Sequence, residues 1–401
     1  MGFANTSVDT VTIGELRERV ERIRPIIEEH ALRGEIERTL PEPVYDAMLG
    51  AGLFRLLAPR AYGGYQLHPV EAYEIWEAVA RIDSAAGWCL QISAAAAGLL
   101  AWIDPRGVDE VYAADGADTV VATSFFPPAA ATPCDGGFKL SGRMPYASGA
   151  DRATWFMVPF VEMDGDEPRI DDQSGAPKPM MSAVPRGDLE VIDTWNTLGM
   201  RGTGSNELLL DDVFVPSHRF GPVGVPEEVN PVFDAAAAVI TPIQGIHGEA
   251  VVSLGVASSA IERLIDLAQT KVPAMTTTLR DRPMAQHHMA KAQALVESAR
   301  EYLHAAARDA YAEASTEGAW SSQTRVRTQL AACVVAENGA EAVRLVHEAA
   351  GASGIHIGAG FERHLRDAMT LSQHNSKSYG RYEDAGKVMF GVPSEWLLFN
   401  L

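Results

Sequence analysis

The stretch from Leu32 to Leu90, "LRGEIERTLPEPVYDAMLGAGLFRLLAPRAYGGYQLHPVEAYEIWEAVARIDSAAGWCL", decides which fold the sequence specifies. Apolar and charged residues recur in it at helical spacing, and prolines stand where new helices are expected to begin. Gly63 and Gly64 interrupt the pattern and predict a loop before the next helix. This part of the chain is therefore predicted to be all-helical.

The rest of the chain changes character twice. From about Thr119 to Phe220, short β-rich runs alternate with Gly, Pro and Asp, which predicts an all-β domain of sandwich or barrel type. From about Phe233 onward, long alanine-rich helical patterns return, and their lengths fit a four-helix bundle. We therefore predict an α+β protein with three domains, at residues 1–117, 118–225 and 226–401.

Composition narrows the class of protein before any motif is considered. The 401 residues carry a formal net charge of −20, which argues against nucleic acid and anionic membranes as partners. The three cysteines, Cys89, Cys134 and Cys333, are scattered, so we expect no disulfide framework and no metal site. The N-terminal sequence lacks the basic and apolar regions of a signal peptide, so we expect a cytoplasmic protein.

One apolar segment, Ala85–Ile103, has nearly the length of a membrane span. It is dominated by alanine and interrupted by Gln91 and Ser93, which makes it less hydrophobic than a leucine-rich span. We predict that it is a helix buried on all sides within a soluble bundle.

Three short elements of the opening stretch carry a family resemblance. They are "GLFRLLAP" at 52–59, "YGG" at 62–64 and "DSAAGW" at 83–88. Together with the order of helices, β domain and helical bundle, they resemble the acyl-CoA dehydrogenase superfamily. The resemblance covers nearly the whole chain and implies an acyl-CoA dehydrogenase-like fold that binds a flavin.

The segment "GGFKLSGRMPYASGADRATWFMV" (136–158) carries the first candidate flavin residues. From the residues alone, Ser148 is a turn hydroxyl between two strands. The resemblance implies that Ser148 donates a hydrogen bond to the flavin near its reactive N5 edge, and that Tyr146 and Trp155 are neighbours of the ring. A neutral hydroxyl can bond to either oxidation state of N5 without adding charge.

The segment "TWNTLGMRGTGSNELLLDDVFVP" (194–216) combines a polar, glycine-lined turn with a half-buried strand. The resemblance implies that this turn is the opposite wall of the flavin slot. In that wall, glycines let the backbone approach a planar ligand, and Trp195, Thr203 and Ser205 contact it. The form W-x-x-x-G-M-R-G-T-G-S is typical of the flavin-dependent monooxygenases built on this fold, rather than of the dehydrogenases.

The segment "SQHNS" (372–376) lies where many acyl-CoA dehydrogenases carry the glutamate that abstracts a proton from the substrate. Asn375 occupies that place, and an amide cannot act as a base. The hydroxylase branch carries a histidine in this loop, and His374 matches it. The resemblance implies that His374 stabilises reduced flavin or assists a C4a-hydroperoxide; an isolated histidine alone would be read as a capped surface residue.

Two positions depart from the family pattern. The helix after Trp88 contains small residues such as Ala96 where phenol hydroxylases often carry a histidine base. This indicates an enlarged apolar pocket for a bulky substrate, or for one that needs no deprotonation, with Trp88, Ala96 and Asn375 as substrate contacts. Lys271 replaces the arginine that the family carries near the flavin phosphate. The resemblance implies that Lys271 or Arg280 acts as a point charge there. Without the resemblance, each residue is predicted to lie on a solvated face.

The sequence therefore predicts the oxygenase component of a two-component flavin-dependent monooxygenase, acting through a C4a-hydroperoxyflavin. We expect reduced FMN, or alternatively FAD, as cofactor and O2 as co-substrate. The organic substrate is expected to be aromatic or polycyclic, an amine, or sulfur-containing. Because no Rossmann motif is present, a separate NAD(P)H-dependent flavin reductase is expected to supply the reduced flavin. As the family is commonly tetrameric, a homotetramer is expected.

Two other classes stay open at this point. An FAD-dependent acyl-CoA dehydrogenase could use a base relocated to another helix, for which Glu249 is the candidate. A non-catalytic flavin-binding or scaffold protein is the other class.

The colour of the purified protein separates the two enzyme classes. A dehydrogenase should purify yellow with tightly bound FAD, whereas a monooxygenase of this branch should purify nearly colourless, because it takes reduced flavin from solution. The absorption spectrum of the purified protein is the measurement, and a stoichiometric flavin spectrum would contradict the monooxygenase prediction.

Overall fold

The computed structural model describes residues 11–171, 175–224, 230–274 and 276–399. The prediction about the extreme N-terminal sequence falls mostly on residues 1–10, outside this range, and the predicted domain border at 225 also lies outside it. Within the described residues, the predicted order of helices, strands and helices is found.

Five helices form the N-terminal part. A capping box starts the first one, since Thr12 and Glu15 bond reciprocally to each other's backbone N–H. Asp83 caps the fourth helix through the N–H of Ala86. The five helices are α1 (Ile13–Glu37), α2 (Glu42–Gly50), α3 (Pro69–Ile82), α4 (Ser84–Gly98) and α5 (Pro105–Val111).

Nine strands follow. They are β1 (Val121–Thr123), β2 (Ala129–Cys134), β3 (Gly137–Ala147), β4 (Trp155–Asp164), β5 (Glu167–Pro168), β6 (Met180–Pro185), β7 (Glu190–Ile192), β8 (Asn206–Pro216) and β9 (Phe220–Pro222).

The described strands join one mixed sheet in the order β7-β8-β3-β2-β4-β6-β9. Strands β1 and β2 both pair with β4 in parallel, one after the other along its length, and β5 pairs with β4 antiparallel. Among the described strands the ladder ends at β7 and at β9, but the sheet curls over one core, since the ring centroids of Phe138 in β3 and Phe220 in β9 lie 5.3 Å apart. The sandwich or barrel stays a prediction.

The C-terminal part is helical. Its helices are α6 (Ala235–Val239), α7 (Thr241–Thr270), α8 (Pro283–Glu317), α9 (Ser322–Ala350), α10 (Phe361–Ser372) and α11 (Gly380–Met389). Helices α7, α8, α9 and α10 pack against one another as predicted for a bundle. One cluster of buried apolar side chains runs from α1–α4 into α7–α10, so the two helical parts share a core. The predicted domain borders stay a prediction.

The alanine-rich segment is one of the most buried in the chain. Residues Ser84–Trp102 are long and apolar enough to cross a membrane, but 89% of the apolar window is buried inside the protein. Helix α4 contacts α3 on one side and α7 on another. This agrees with the prediction of a core helix.

Close helix crossings depend on two glycines. A Cβ on Gly255 of α7 would lie 2.5 Å from the Cβ of Ala80 in α3, and one on Gly87 of α4 would lie 2.6 Å from the same atom. Real Cβ atoms do not approach this closely, so α4 and α7 can lie against α3 only without these side chains.

We expect Gly255→Ala to destabilise the protein by about 1–3 kcal/mol, because the helices must separate to accept the methyl group. Gly386→Ala in α11 is the matched control: nothing lies within 4 Å of its added Cβ. That control should be neutral or stabilise by up to about 1 kcal/mol. Chemical denaturation measures both, and equal midpoints for the two variants would contradict the packing argument.

Candidate active site

A cavity of about 600 Å³ lies where the β sheet, α4, α7 and the segment after α10 meet. Its lining residues are of two chemical kinds. The polar part of the lining comprises hydroxyl, amide and ionisable side chains: Thr123, Ser124, Tyr146, Ser148, Thr197, Thr203, Ser205, Thr241, Glu249, Thr370, Gln373, His374, Asn375 and Ser376. The apolar part comprises Trp88, Ile92, Ala95, Ala96, Leu99, Trp102, Phe125, Phe126, Pro145, Trp195, Met200, Val223, Pro242, Gly245, Ile246, Leu371, Trp396 and Leu398.

Three buried hydroxyls of the polar part are hydrogen-bonded in a line. The Oγ of Ser148 lies 2.7 Å from the Oγ of Ser205, which lies 2.7 Å from the Oγ1 of Thr203. Thr203 donates in turn to the carbonyl of Met200 at 2.8 Å, and the indole of Trp88 donates to Ser148 at 2.9 Å. The two segments 136–158 and 194–216 thus meet at these hydroxyls, and their roles at a flavin stay predictions.

Two aromatic rings line the cavity beside these hydroxyls. Tyr146 has a φ of 68°, in the left-handed region, and 67% of the residue is exposed. Its ring lies edge to face with that of Trp195, with 6.2 Å between centroids. The Trp195 indole donates to the Met200 carbonyl at 3.0 Å, which fixes the ring against the turn. An exposed aromatic ring held this way presents a face to a planar ligand.

His374 also lines the cavity and is held by Glu249. The Nδ1 of His374 is 3.0 Å from Oε2 of Glu249 and 2.9 Å from the Oγ of Ser376. The hydroxyl of Ser376 itself donates to Glu249. Since the carboxylate can only accept, this contact favours the form of His374 with a proton on Nδ1. The His374 ring also meets Trp88, with 5.4 Å between centroids.

A lysine that sequence reasoning did not consider lies behind this pair. Lys377 is buried, and its Nζ is 3.8 Å from Oε2 of Glu249 and 5.1 Å from the ring centroid of Trp88. Burial lowers the pKa of Lys377 to about 8, although the carboxylate of Glu249 acts to raise it. The contact with the indole face is a cation–π interaction.

The environment of Glu249 bears on the dehydrogenase alternative. Burial raises its pKa, but the charges of His374 and Lys377 and the hydrogen bonds from His374 and Ser376 outweigh burial and hold the pKa below its ordinary value. A carboxylate with a lowered pKa is a weak base, and its Oε2 is already engaged. Glu249 is therefore arranged to hold His374 rather than to take a proton from a substrate.

Gln329 of α9 links the loop that carries His374 to Trp396 through two hydrogen bonds. The amide nitrogen of Gln329 donates to the carbonyl of Ser376 at 2.7 Å, and its oxygen accepts from the indole of Trp396 at 2.7 Å. Gln329 is buried, so both groups need these partners. Trp396 and Leu398 also line the cavity, which brings the C-terminal segment into the site.

Most of the predicted site residues come together at this cavity. Tyr146, Ser148, Trp195, Thr203, Ser205 and His374 line it, as do the predicted substrate contacts Trp88, Ala96 and Asn375. Their roles stay predictions.

Trp155 and Lys271 are not brought to the cavity. Trp155 begins β4, opposite Pro185, and its ring lies under the guanidinium of Arg219, 5.2 Å away. The turn between Ser148 and Trp155 thus sends the tryptophan to another surface of the sheet. Lys271 follows the end of α7 and donates to the carbonyl of Ala350. Neither residue is among the residues that line the cavity, and their flavin contacts stay predictions.

Sequence reasoning missed several residues in or beside the cavity. Ser376, which lines the cavity, and Lys377, which lies behind it, come two and three residues after His374. Their nearness along the chain was a readable signal, but their pairing with α7 was not. Phe125 and Phe126, between β1 and β2, and Trp396 near the C-terminus had no motif to identify them.

Asp367 joins three parts of the chain beside the cavity. It lies on α10 and is buried, and it accepts hydrogen bonds at 2.6 Å from the backbone N–H of Met200 and from the hydroxyl of Ser84. Met200 has a φ of 54°, so its turn is strained and needs a fixed partner. Burial raises the pKa of Asp367 to about 6, despite these bonds and the nearby charge of Arg363.

We expect Asp367→Asn to change how stability depends on pH. The pKa of Asp367 is about 6 in the folded protein and 3.8 in an ordinary aspartate, so the folded state binds this proton more tightly. The contribution of Asp367 to the free energy of unfolding therefore falls as pH rises from about 4 through 6. Between pH 5 and pH 7.5 we expect it to fall by about 1–1.5 kcal/mol. Asparagine can still accept from Met200 and donate to Ser84, but does not titrate.

The measurement is chemical denaturation at pH 5 and pH 7.5 for the natural protein and for Asp367→Asn. The matched control is Asp166→Asn, in an exposed turn, which should keep the pH dependence of the natural protein. If Asp367→Asn kept the same dependence, the carboxyl would not titrate near pH 6.

Known proteins similar to this chain fall into one family. Residues 15–105 match the model of the acyl-CoA dehydrogenase N-terminal domain, and residues 247–379 match that of the C-terminal domain. Indole-3-acetate monooxygenase of Pseudomonas putida is 29% identical over 370 residues, 91% of each chain. The flavin-dependent monooxygenase, oxygenase subunit HsaA, of Rhodococcus jostii is 28% identical over 389 residues, 94% of this chain and 98% of that one.

Solved structures agree in fold. The HsaA monooxygenase from Mycobacterium tuberculosis superposes with a TM-score of 0.87 at 25% identity, covering 97% of this chain and 100% of that one. XiaF from Streptomyces sp., in complex with FADH2 and glycerol, has a TM-score of 0.87 at 24% identity, covering 96% and 97%. The predicted fold class is confirmed, and the chain belongs to the acyl-CoA dehydrogenase superfamily, in its branch of flavin-dependent monooxygenases.

Proposed function

We propose that this protein is the oxygenase component of a two-component system and transfers one oxygen atom of O2 to a bulky, uncharged organic substrate. The observation that carries the proposal is one cavity of about 600 Å³ whose lining combines hydroxyls, a histidine in contact with a carboxylate, and many apolar side chains. A cavity of this size suits a small organic ligand buried beside a cofactor.

Hydroxyl and aromatic residues of the lining fit a reduced flavin. Ser148, Ser205 and Thr203 offer hydroxyls, and Tyr146 and Trp195 offer ring faces for stacking. When bound there, the flavin supplies the electrons that activate O2. FMN is proposed, with FAD as the alternative, because the residues near the isoalloxazine do not distinguish them.

His374 is proposed to act on protons at the flavin. Glu249 holds its Nδ1 at 3.0 Å, so the ring orientation is fixed by an ionised partner. Nε2 then remains as the nitrogen that can hold or pass a proton in the cavity. Lys377 and Ser376 act through Glu249 and not on the ligand.

The apolar part of the wall defines the proposed substrate class. Trp88, Ala96 and Asn375 are proposed contacts, with Trp102 and Phe126 enlarging the apolar surface. No lysine or arginine is among the described cavity residues, so an anionic group would have no counter-charge there. We therefore propose a neutral polycyclic aromatic, sulfide or amine, which differs from the acid named for the indole-3-acetate relative.

A separate NAD(P)H-dependent flavin reductase is the proposed partner. The sequence carries no dinucleotide-binding fingerprint that would let the protein reduce flavin itself. The name of the HsaA relative, an oxygenase subunit, supports a division of labour between two proteins.

A homotetramer in the cytoplasm is also proposed. Large apolar side chains stand exposed near the C-terminal helices, with 88% of Phe390, 70% of Met389 and 71% of Ile357 accessible in the single chain. Exposed apolar groups of this size are typical of subunit contacts.

The proposal is tested by mixing the purified protein with reduced FMN under anaerobic conditions and then adding O2. Stopped-flow absorbance should show that oxidised flavin returns at least about tenfold more slowly than in buffer, because the cavity excludes water and fixes the proton donors. His374→Asn should shorten this delay by about tenfold or more, within the range of a lost acid–base group.

His356→Asn is the matched control, because His356 is exposed and does not line the cavity. Reoxidation as fast as in buffer would contradict the oxygenase proposal. Bleaching of bound FAD by an acyl-CoA would instead favour a dehydrogenase.

A further inference from the structure

A line of three hydroxyls connects the cavity to the protein backbone. It runs from Ser148 to Ser205 at 2.7 Å, from Ser205 to Thr203 at 2.7 Å, and from Thr203 to the carbonyl of Met200 at 2.8 Å. All three hydroxyl residues are at least nine-tenths buried. Each of the three contacts needs one proton, and the line holds three hydroxyl protons.

The two ends of the line fix its direction. The Met200 carbonyl can only accept, and the indole of Trp88, which donates to Ser148 at 2.9 Å, can only donate. When every hydroxyl points toward Met200, all three contacts contain a proton. Ser148 then accepts from Trp88, donates to Ser205 and keeps one lone pair for the cavity.

The opposite arrangement loses one hydrogen bond. If Ser148 donates to a ligand, two protons remain for three contacts, whichever way Ser205 and Thr203 turn. One pair of oxygens, 2.7 or 2.8 Å apart, is then left without a proton between them. One net hydrogen bond corresponds to roughly a three- to tenfold change in an equilibrium constant.

We propose that Thr203 and Ser205 are positioning residues that make Ser148 a hydrogen-bond acceptor toward the cavity. The inference rests on the proposed function and on the place beside N5 of the flavin that the family resemblance implies for Ser148. Reduced flavin carries a proton on N5, whereas oxidised flavin has a lone pair there. The hydroxyl line therefore favours the reduced form, and Ser148 does not have the donor role that the family resemblance implies.

The test compares the dissociation constants of oxidised FMN and of chemically reduced FMN under anaerobic conditions, measured by equilibrium dialysis. Thr203→Val removes one proton and two contacts, and Ser205→Ala likewise removes one proton and two contacts. In both variants the proton of Ser148 can be given to a ligand without loss. The preference for reduced over oxidised FMN should fall roughly three- to tenfold in each.

Thr197→Val is the matched control. Thr197 lines the same cavity, but its hydroxyl donates to the carbonyl of Gly199 at 2.9 Å, outside the line, so the ratio of the two constants should stay unchanged. Thermal unfolding checks that each variant is folded. If only one of Thr203→Val and Ser205→Ala folds, that variant alone is sufficient for the test.

The outcomes separate the inference from the proposed function. If Thr203→Val and Ser205→Ala weaken both forms equally, or if Thr197→Val lowers the ratio as much, the hydroxyl line has no directional role and the inference is wrong. If the natural protein binds neither form of FMN, the proposed function fails, and the inference with it.

Discussion

The buried carboxylate of Asp367 is the constraint on which the site depends. It ties α10 to the start of α4 through Ser84 and to the turn at Met200 through a backbone N–H. That turn carries the carbonyl at which both the hydroxyl line and the Trp195 indole end. One side chain thus sets the relative position of the sheet, the N-terminal helices and the bundle. Its raised pKa is the electrostatic consequence of putting a single acceptor at the junction of three parts.

The polar part of the cavity consists of two hydrogen-bonded systems of different kinds. On one side, neutral hydroxyls end at a backbone carbonyl and carry no charge. On the other, the carboxylate of Glu249 and the buried Lys377 form a charged group in contact with His374, with the indole of Trp88 against Lys377. Trp88 touches both systems, because its nitrogen donates to Ser148 and its ring faces His374 and Lys377. Water displacement from the cavity would strengthen the charged group more than the neutral one.

The family resemblance, carried by short segments of the sequence, pointed to several of these residues. Ser148, Thr203, Ser205 and His374 each lie in such a segment, and all four line the cavity, although the residue types alone indicated only a turn hydroxyl at Ser148 and a surface histidine at His374. The pairing of Glu249 with Lys377, and of Gln329 with Ser376 and Trp396, depends on how distant helices pack, which no local spacing encodes. The order of strands in the sheet could not be predicted for the same reason: short strands separated by turns do not state which strand pairs with which. The position of Trp155 outside the cavity lining was not predictable either, because its distance along the chain from Ser148 says nothing about which side of the sheet it faces.

The smooth alanine surface of α4 has a consequence for selectivity. Methyl groups such as those of Ala95 and Ala96 contact a ligand without orienting it, so this wall sorts molecules by bulk and shape alone. Discrimination by an apolar wall is shallow, on the order of 10- to 200-fold for each methylene that fits or fails to fit. An enzyme with such a wall accepts related compounds at graded rates. The set of accepted substrates changes easily by mutation, because one larger residue on this helix face excludes some molecules and favours others.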